Sequence, residues 1–258
     1  MKPPGTATAN KLTAILATRG RPHLLIPTLE RTLTSVASRE TRIVVAIDHD
    51  DPATIKAMAE FKDPRVIPDV RQREDSLGAK YNNRIEVAPA DVYLVMVDYA
   101  PHITFGFDKK ILEAASIFPD HIGVVYNHMA NLSFPQINAV THRLVELMGG
   151  IYPEYYPFWF VDHHLDEIAK MIDRIVVADV WLDTSSRPGT MDSREPYWWA
   201  TFFDAVAPMR RDIALAILDA PDFQEYEWRK EMLVSRWPLI AEVSEMINDS
   251  VRNARWAK

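Results

Sequence analysis

Arg42–Pro52 reads RIVVAIDHDDP. Ile43–Ile47 is an unbroken apolar run rich in β-branched residues, which suits a strand buried on both faces rather than one with a wet side. The run ends in acid at Asp48, and Pro52 then suits the first turn of a helix reaching about Phe61. The same order recurs on either side. Leu12–Thr18 (LTAILAT) is a short apolar run followed by Arg19, Gly20, Arg21 and Pro22, with a helix expected to about Ser38. Val92–Asp98 (VYLVMVD) is a third strong strand, again ending in acid. Between and beyond these, Arg65–Val70 reads as a short strand, Leu77–Val87 and Phe107–Phe118 as helices, and Ile122–Tyr126 as a further strand. Repeated strand–helix–strand units predict an α/β fold with a mostly parallel central sheet flanked by helices. Ligands of such sheets gather at the carboxyl ends of the strands. Thr18, Asp48 and Asp98 each occupy such an end.

The second half has a different texture. Gln136–Met148 is helical in period and stops at Gly149-Gly150. Ile151–Val161 (IYPEYYPFWFV) is aromatic and broken by proline. Asp162–Ile172 returns to a helical pattern, with Asp162 placed either to cap it or to act as a catalytic base. Ile175–Val180 reads as one more strand. Asp183–Pro196 (DTSSRPGTMDSREP) has the composition of a mobile loop, and from Tyr197 onward the pattern is helical. Two units are therefore expected: residues 1–182 as the ligand-binding α/β domain, and residues 183–258 as a flexible loop followed by a helical C-terminal extension.

Composition narrows the chemistry. The chain has 258 residues with 8 Gly, 18 Pro and no Cys. Glycine at about 3% is well under the usual ~7%, and neither GxGxxG nor GxxxxGK[ST] occurs, so dinucleotide-fingerprint and P-loop architectures are excluded. Without cysteine there are no disulfides, thiolate zinc sites, iron–sulfur clusters or thiol nucleophiles. A net charge of −7 argues against wholesale binding to nucleic acid or anionic lipid. GxSxG, HEXXH and the protein-kinase signatures are absent. The opening MKPPGTATANKL has no apolar signal-peptide core, and no stretch approaches the ~18 apolar residues of a membrane span, so a cytoplasmic location is expected.

The remaining chemistry lies at the strand ends. Asp48, Asp50, Asp51 and Asp98 suit either a divalent cation, which takes hard oxygen ligands, or ribose and base hydrogen bonds. Asp50 and Asp51 also suit an Asp-Pro helix start. Arg19, Arg21 and Lys80 could neutralise a diphosphate without a glycine loop. His163 and His164, adjacent on a helix, point about 100° apart and so do not share one metal. Aromatics at Tyr152–Phe160 and Tyr197–Phe203 suit either a sugar-binding face or a core.

Five segments in order resemble the family-two-like glycosyltransferases of the GT-A fold: ILATRGRP at 15–22, VVAIDHDDPAT at 44–54, LGAKYN at 77–82, ADVYLVMVDYAPHITFGFD at 90–108 and YPFWFVDHHLDEIA at 156–169. The resemblance covers roughly residues 12–170. It implies that Thr18, Arg19 and Arg21 form the first nucleotide-binding loop, that Asp48 meets the base with Asp50 close by, and that Lys80 and Asn82 lie near the nucleotide. Asp98 corresponds to the first acid of the pair that meets ribose and metal, and Thr104, Gly106 and Asp108 to the T-x-G-W-D stretch, with Phe107 in place of tryptophan. Asp162 corresponds to the catalytic base. The implied reaction is inverting transfer from a nucleotide-sugar donor, assisted by manganese or magnesium at Asp98. One departure stands out: Asp98 is followed by Tyr99 and Ala100, so the second acid of the pair is missing. A sugar nucleotidyltransferase and a catalytically degenerate GT-A-like binding module remain alternatives. The acceptor (saccharide, lipid-linked sugar, protein or modified nucleobase) and homo-oligomerisation are left open.

Overall fold

A computed structural model describes residues 11–129, 137–185 and 196–224. Seven strands form one sheet: β1 (Leu12–Ala17), β2 (Arg42–Asp48), β3 (Val66–Arg71), β4 (Val92–Val97), β5 (Val124–Met129), β6 (Asn138–Thr141) and β7 (Ile175–Leu182), in the order β3-β2-β1-β4-β6-β5-β7. All neighbouring pairs are parallel except those made by β6, which runs antiparallel to both β4 and β5. The helices are α1 (Pro22–Ser35), α2 (Pro52–Glu60), α3 (Leu77–Asn82), α4 (Phe107–Ala115), α5 (His142–Met148), α6 (Val161–Ile172), α7 (Pro196–Ala205) and α8 (Ala207–Leu218). The predicted α/β class is thus observed.

Strand residues alternate between the two faces. Leu12, Ala14 and Leu16 of β1 and Val92, Leu94 and Met96 of β4 join the core that takes Leu25 and Leu29 of α1 and Phe107 and Ile111 of α4. Ile15, Tyr93 and Val95 join the opposite core, with Tyr81 of α3, Leu144 of α5, Leu165 and Ile168 of α6, and Ala214 and Ile217 of α8. Burial on both faces explains why these strands read as continuous apolar runs.

Three expectations need correction. Gln136–Met148 is not one helix: Asn138–Thr141 is β6, and only His142–Met148 is helical. Ile137, Val140, Leu144 and Val145 fall at helical spacing, but Ala139 and Val140 are both fully shielded because β6 is inserted between two strands. Leu77–Val87 is helical only to Asn82. Beyond it, Arg84, Ile85 and Val87 donate to carbonyls three residues back, so the pattern continues as tight turns. Asp162 does not cap α6: Phe160, with φ of 69°, holds the N-cap position, and Asp162 lies in the first turn. Residues 186–195 of the expected loop lie outside the described residues, as do residues 225–258 of the expected extension.

Candidate active site at the strand ends

Register brings the polar termini together. Ala17 pairs with Ala46 on one side and Val97 on the other, so Thr18, Asp48 and Asp98 leave the sheet side by side. Two linked clusters result. In the first, Asp48, nearly fully buried, accepts from Lys80 Nζ through Oδ1 at 2.8 Å and from Arg19 Nη1 through Oδ2 at 2.8 Å. Lys80 also donates to the Thr18 carbonyl at 3.0 Å. Arg19 extends outward and grips Asp50 with both terminal nitrogens, at 2.6 and 2.9 Å. Those hydrogen bonds hold the Asp50 carboxyl down at about 2 and raise the Arg19 guanidinium further.

The second cluster centres on Asp98, whose side chain is 0% exposed. Its Oδ2 accepts from Thr18 Oγ1 at 2.7 Å and forms an ion pair with Arg21 Nε at 3.0 Å. Its Oδ1 is buried and has no hydrogen-bond partner among the described residues. Burial pushes the Asp98 carboxyl upward, against the pull of Arg21 and Thr18. Thr28 on α1 donates to the Asp98 carbonyl at 3.0 Å and so fixes the strand end from behind. Sequence reasoning gave no signal for Thr28, a helix threonine among others.

The loop carrying both arginines is itself pinned. Gly20 adopts φ of +66°, a left-handed conformation that favours glycine, and its N–H donates to Asp51 Oδ2 at 2.6 Å. Asp51 caps α2 through Thr54 N–H at 3.2 Å, which is the helix-start role open to it in the sequence.

Other expected site residues are placed differently. Asn82 is engaged with the 151–154 loop: Oδ1 accepts from Ile151 N–H at 2.8 Å, and Nδ2 donates to the Tyr152 carbonyl at 2.8 Å. Thr104, Gly106 and Asp108 anchor the start of α4. Asp108, fully buried, accepts from Ala37 N–H, Ser38 N–H and Thr41 Oγ1. Beyond the expected set, Arg71 and the fully buried Arg84 are both paired with Asp69, and Arg84 also with Glu74. The aromatic segments divide: Tyr152, Tyr156 and Phe203 are buried, whereas Tyr197 and Trp198 are exposed.

Asp162, in the first turn of α6, acts on Tyr152, which packs against Tyr81 of α3. Tyr81 and Tyr152 meet edge to face, with ring centroids 5.5 Å apart. Burial raises both phenols, and the charge of Asp98 adds to the effect at Tyr81 while that of Asp162 adds at Tyr152. Asp162 Oδ1 accepts from the N–H and Nδ1 of His163 at 2.9 and 3.0 Å, while no residue described donates to its Oδ2. Burial alone would lower the His163 ring, but the Asp162 hydrogen bond and the neighbouring acids outweigh it and leave the ring raised. His164 is buried and hydrogen-bonded at Nδ1 to the Tyr155 hydroxyl at 3.3 Å.

The donor set does not suit a divalent cation. Asp98 supplies one carboxylate, already neutralised by a guanidinium at 3.0 Å. Magnesium and manganese favour octahedral oxygen sets, yet among the described residues no three His, Asp or Glu side chains are grouped to hold a metal.

The sequence matches no family model and no curated protein. Solved structures share its fold. The mannosyltransferase PcManGT from Pyrobaculum calidifontis, in complex with GDP-Man and Mn2+, matches 99% of this chain and 82% of its own at TM-score 0.55 and 13% identity. S. aureus TarS 1-349, in complex with UDP-GlcNAc, matches 87% of this chain and 70% of its own at TM-score 0.60 and 16% identity. The chain is therefore GT-A-like in fold, and the likeness extends beyond the residues that carry the sequence resemblance. Among the described residues, no helix is long and apolar enough to cross a membrane.

Proposed function

We propose that the protein is a glycosyltransferase that moves a sugar from a nucleotide-sugar donor to an acceptor hydroxyl with inversion. The observation that carries this reading is the convergence of Thr18, Arg19, Arg21, Asp48, Asp50, Lys80 and Asp98 at the carboxyl ends of β1, β2 and β4. The shared fold with proteins bound to GDP-Man and UDP-GlcNAc supports a donor of that class. Residues 1–182 would form the catalytic unit, and the helices after residue 183 an extension packed on α6.

In this reading the nucleoside lies over Asp48 and Asp50, and the diphosphate lies toward the arginines. Asp162 Oδ2 takes the proton of the acceptor hydroxyl. The hydroxyl oxygen forms its bond to the anomeric carbon as the carbon–phosphate oxygen bond breaks, and that electron pair leaves on the nucleoside diphosphate. A carboxylate suffices as base because the hydroxyl becomes acidic late in the step. His163 holds Oδ1 and leaves Oδ2 for the acceptor. No step is routed through a cation, since the donor set at Asp98 does not suit one.

The test is to incubate the protein with UDP-GlcNAc and with GDP-Man, reading thermal stability and release of nucleoside diphosphate. A ligand that binds only the folded state must raise the melting temperature. A rise with either donor supports the reading, and no rise with any nucleotide sugar overturns it. Tyr99 in place of a second acid favours one further reading, a binding module without turnover. Stabilisation by donor without transfer to any acceptor and without release of diphosphate would select it.

A further inference from the structure

We infer that Arg21, anchored by Asp98, takes the place of a divalent cation at the diphosphate, so that this chain binds its nucleotide without metal. The inference rests on the nucleotide-sugar reading and concerns the same site. Four observations carry it. The second carboxylate that would complete a cation site is absent, since Tyr99 and Ala100 follow Asp98. Asp98 is fully shielded and already carries a guanidinium on Oδ2, so the pair is close to neutral and offers a dication little attraction. Arg21 spends only Nε on Asp98. Its side chain is 32% exposed, and no residue described accepts from its terminal nitrogens. Those nitrogens form a planar fork suited to phosphate oxygens. Finally, the arginine is placed by a rigid support rather than by a free loop: Gly20 is tied to Asp51, Thr18 to Asp98, and Pro22 begins α1 immediately after it.

The division of labour with the other cations follows from their partners. Lys80 is nearly buried and committed to Asp48 and the Thr18 carbonyl. Arg19 is committed to Asp48 and, with both terminal nitrogens, to Asp50. Arg21 is the member of the group whose terminal donors remain open. Asp98 then acts as a positioning residue. It orients the guanidinium instead of ligating an ion, and its unpartnered Oδ1 is the cost of that burial.

The experiment measures binding of UDP and of GDP by calorimetry, in EDTA and again in excess Mn2+, for the wild type, Arg21→Lys and Arg21→Gln. Melting temperatures without ligand confirm that each variant is folded. The expected result is wild-type affinity that changes less than twofold between EDTA and Mn2+. Arg21→Gln should lose at least tenfold in EDTA, and Arg21→Lys should retain part of that binding as a point charge without the fork. Because Arg21→Gln uncovers the Asp98 carboxylate, Mn2+ should restore some of its binding. Wild-type binding lost in EDTA and restored tenfold or more by Mn2+ would overturn the inference while leaving the nucleotide-sugar reading intact. Equal affinity in wild type and Arg21→Gln would also overturn it. Absence of binding by either nucleotide in both buffers is a different outcome: it removes the nucleotide reading, and this inference falls with it.

Discussion

Asp98 and Arg210 are both 0% exposed, yet their surroundings differ. Arg210, on α8, reaches one acid, Glu167 on α6, whose side chain is 27% exposed, and its Nη2 has no hydrogen-bond partner among the described residues. Nε meets Glu167 at 2.6 Å, Nη1 donates to the Phe203 carbonyl at 2.7 Å, and the guanidinium lies 3.6 Å from the centre of the Phe203 ring. Asp98 instead passes its charge to Arg21, and its neighbour Thr18 leads through Lys80 and Asp48 to Arg19 and Asp50, both about two-fifths exposed. A buried charge that ends on one acid, a backbone carbonyl and an aromatic face holds helices together. A buried charge whose partners lead on to further charged groups at the strand ends can meet a ligand. Burial alone does not separate a site from a strut, but the route by which the charge is satisfied does.

The largest expected effect is that of Asp162→Asn. Turnover should fall by about 10²–10⁴-fold, the range for loss of a general base, with donor affinity close to wild type. Retained transfer in a kinetic assay would leave Asp162 a helix-terminus acid only. Next in size is Arg210→Met, which should cost about 2–3 kcal/mol in a urea titration by removing the charge-assisted hydrogen bond to the partly exposed Glu167, with no change in nucleotide affinity. A loss of binding rather than of stability would place Arg210 among the site residues and dissolve the distinction.

A smaller effect comes from two neutral histidines. Burial holds His102 at about 3, and burial reinforced by Arg210 does the same for His164, against about 6.5 when unfolded. Both groups bind more protons in the unfolded chain. Their contribution is therefore complete above about pH 6.5 and is lost as pH falls toward 3. Each should remove roughly 2 kcal/mol between pH 7 and pH 5. His102 stacks on Phe107 with ring centroids 4.6 Å apart, and neither ring nitrogen has a hydrogen-bond partner among the described residues. His102→Leu should flatten the pH profile of the urea midpoint, and an unchanged slope would remove His102 as a cause. The smallest effect is that of Asp51→Ala, about 1 kcal/mol for a lost helix cap. Because Asp51 also holds Gly20, nucleotide affinity should weaken together with stability. Stability loss alone would mean that the arginine loop keeps its shape without that tether.

Much of this arrangement was legible in the sequence because strands buried on both faces announce themselves. RIVVAID and VYLVMVD name their own ends, and the parallel order then fixes which ends are neighbours. What stayed hidden depends on packing across long separations. β6 is four residues long, and its apolar spacing also fits a helix. Only its position between β4 and β5 decides the matter. Asn82 has the residue type of a ligand contact, but its amide is taken up by backbone nearly seventy residues away. Thr28 and Arg21 gain their roles from a single partner, Asp98, and no local pattern encodes that pairing. The acid missing after Asp98 was plain in the text, whereas the guanidinium beside it could be found only in three dimensions.

The late strand β6 also sets a schedule. It follows β5 in the chain but separates β5 from β4 in space. As the polypeptide leaves the ribosome, β1 to β4 can assemble as a parallel unit with α1 to α3. β5 cannot simply add to the open edge of β4, because that place belongs to a strand not yet made. Joining β5 to that unit must wait for Thr141 to emerge, and the sheet is complete only when β7, which pairs with β5 and bridges His102 through Leu182, has followed. The strands that bear Asp48 and Asp98 are therefore all made before the strand that joins β5 to them, and α6 with Asp162 follows later in the chain.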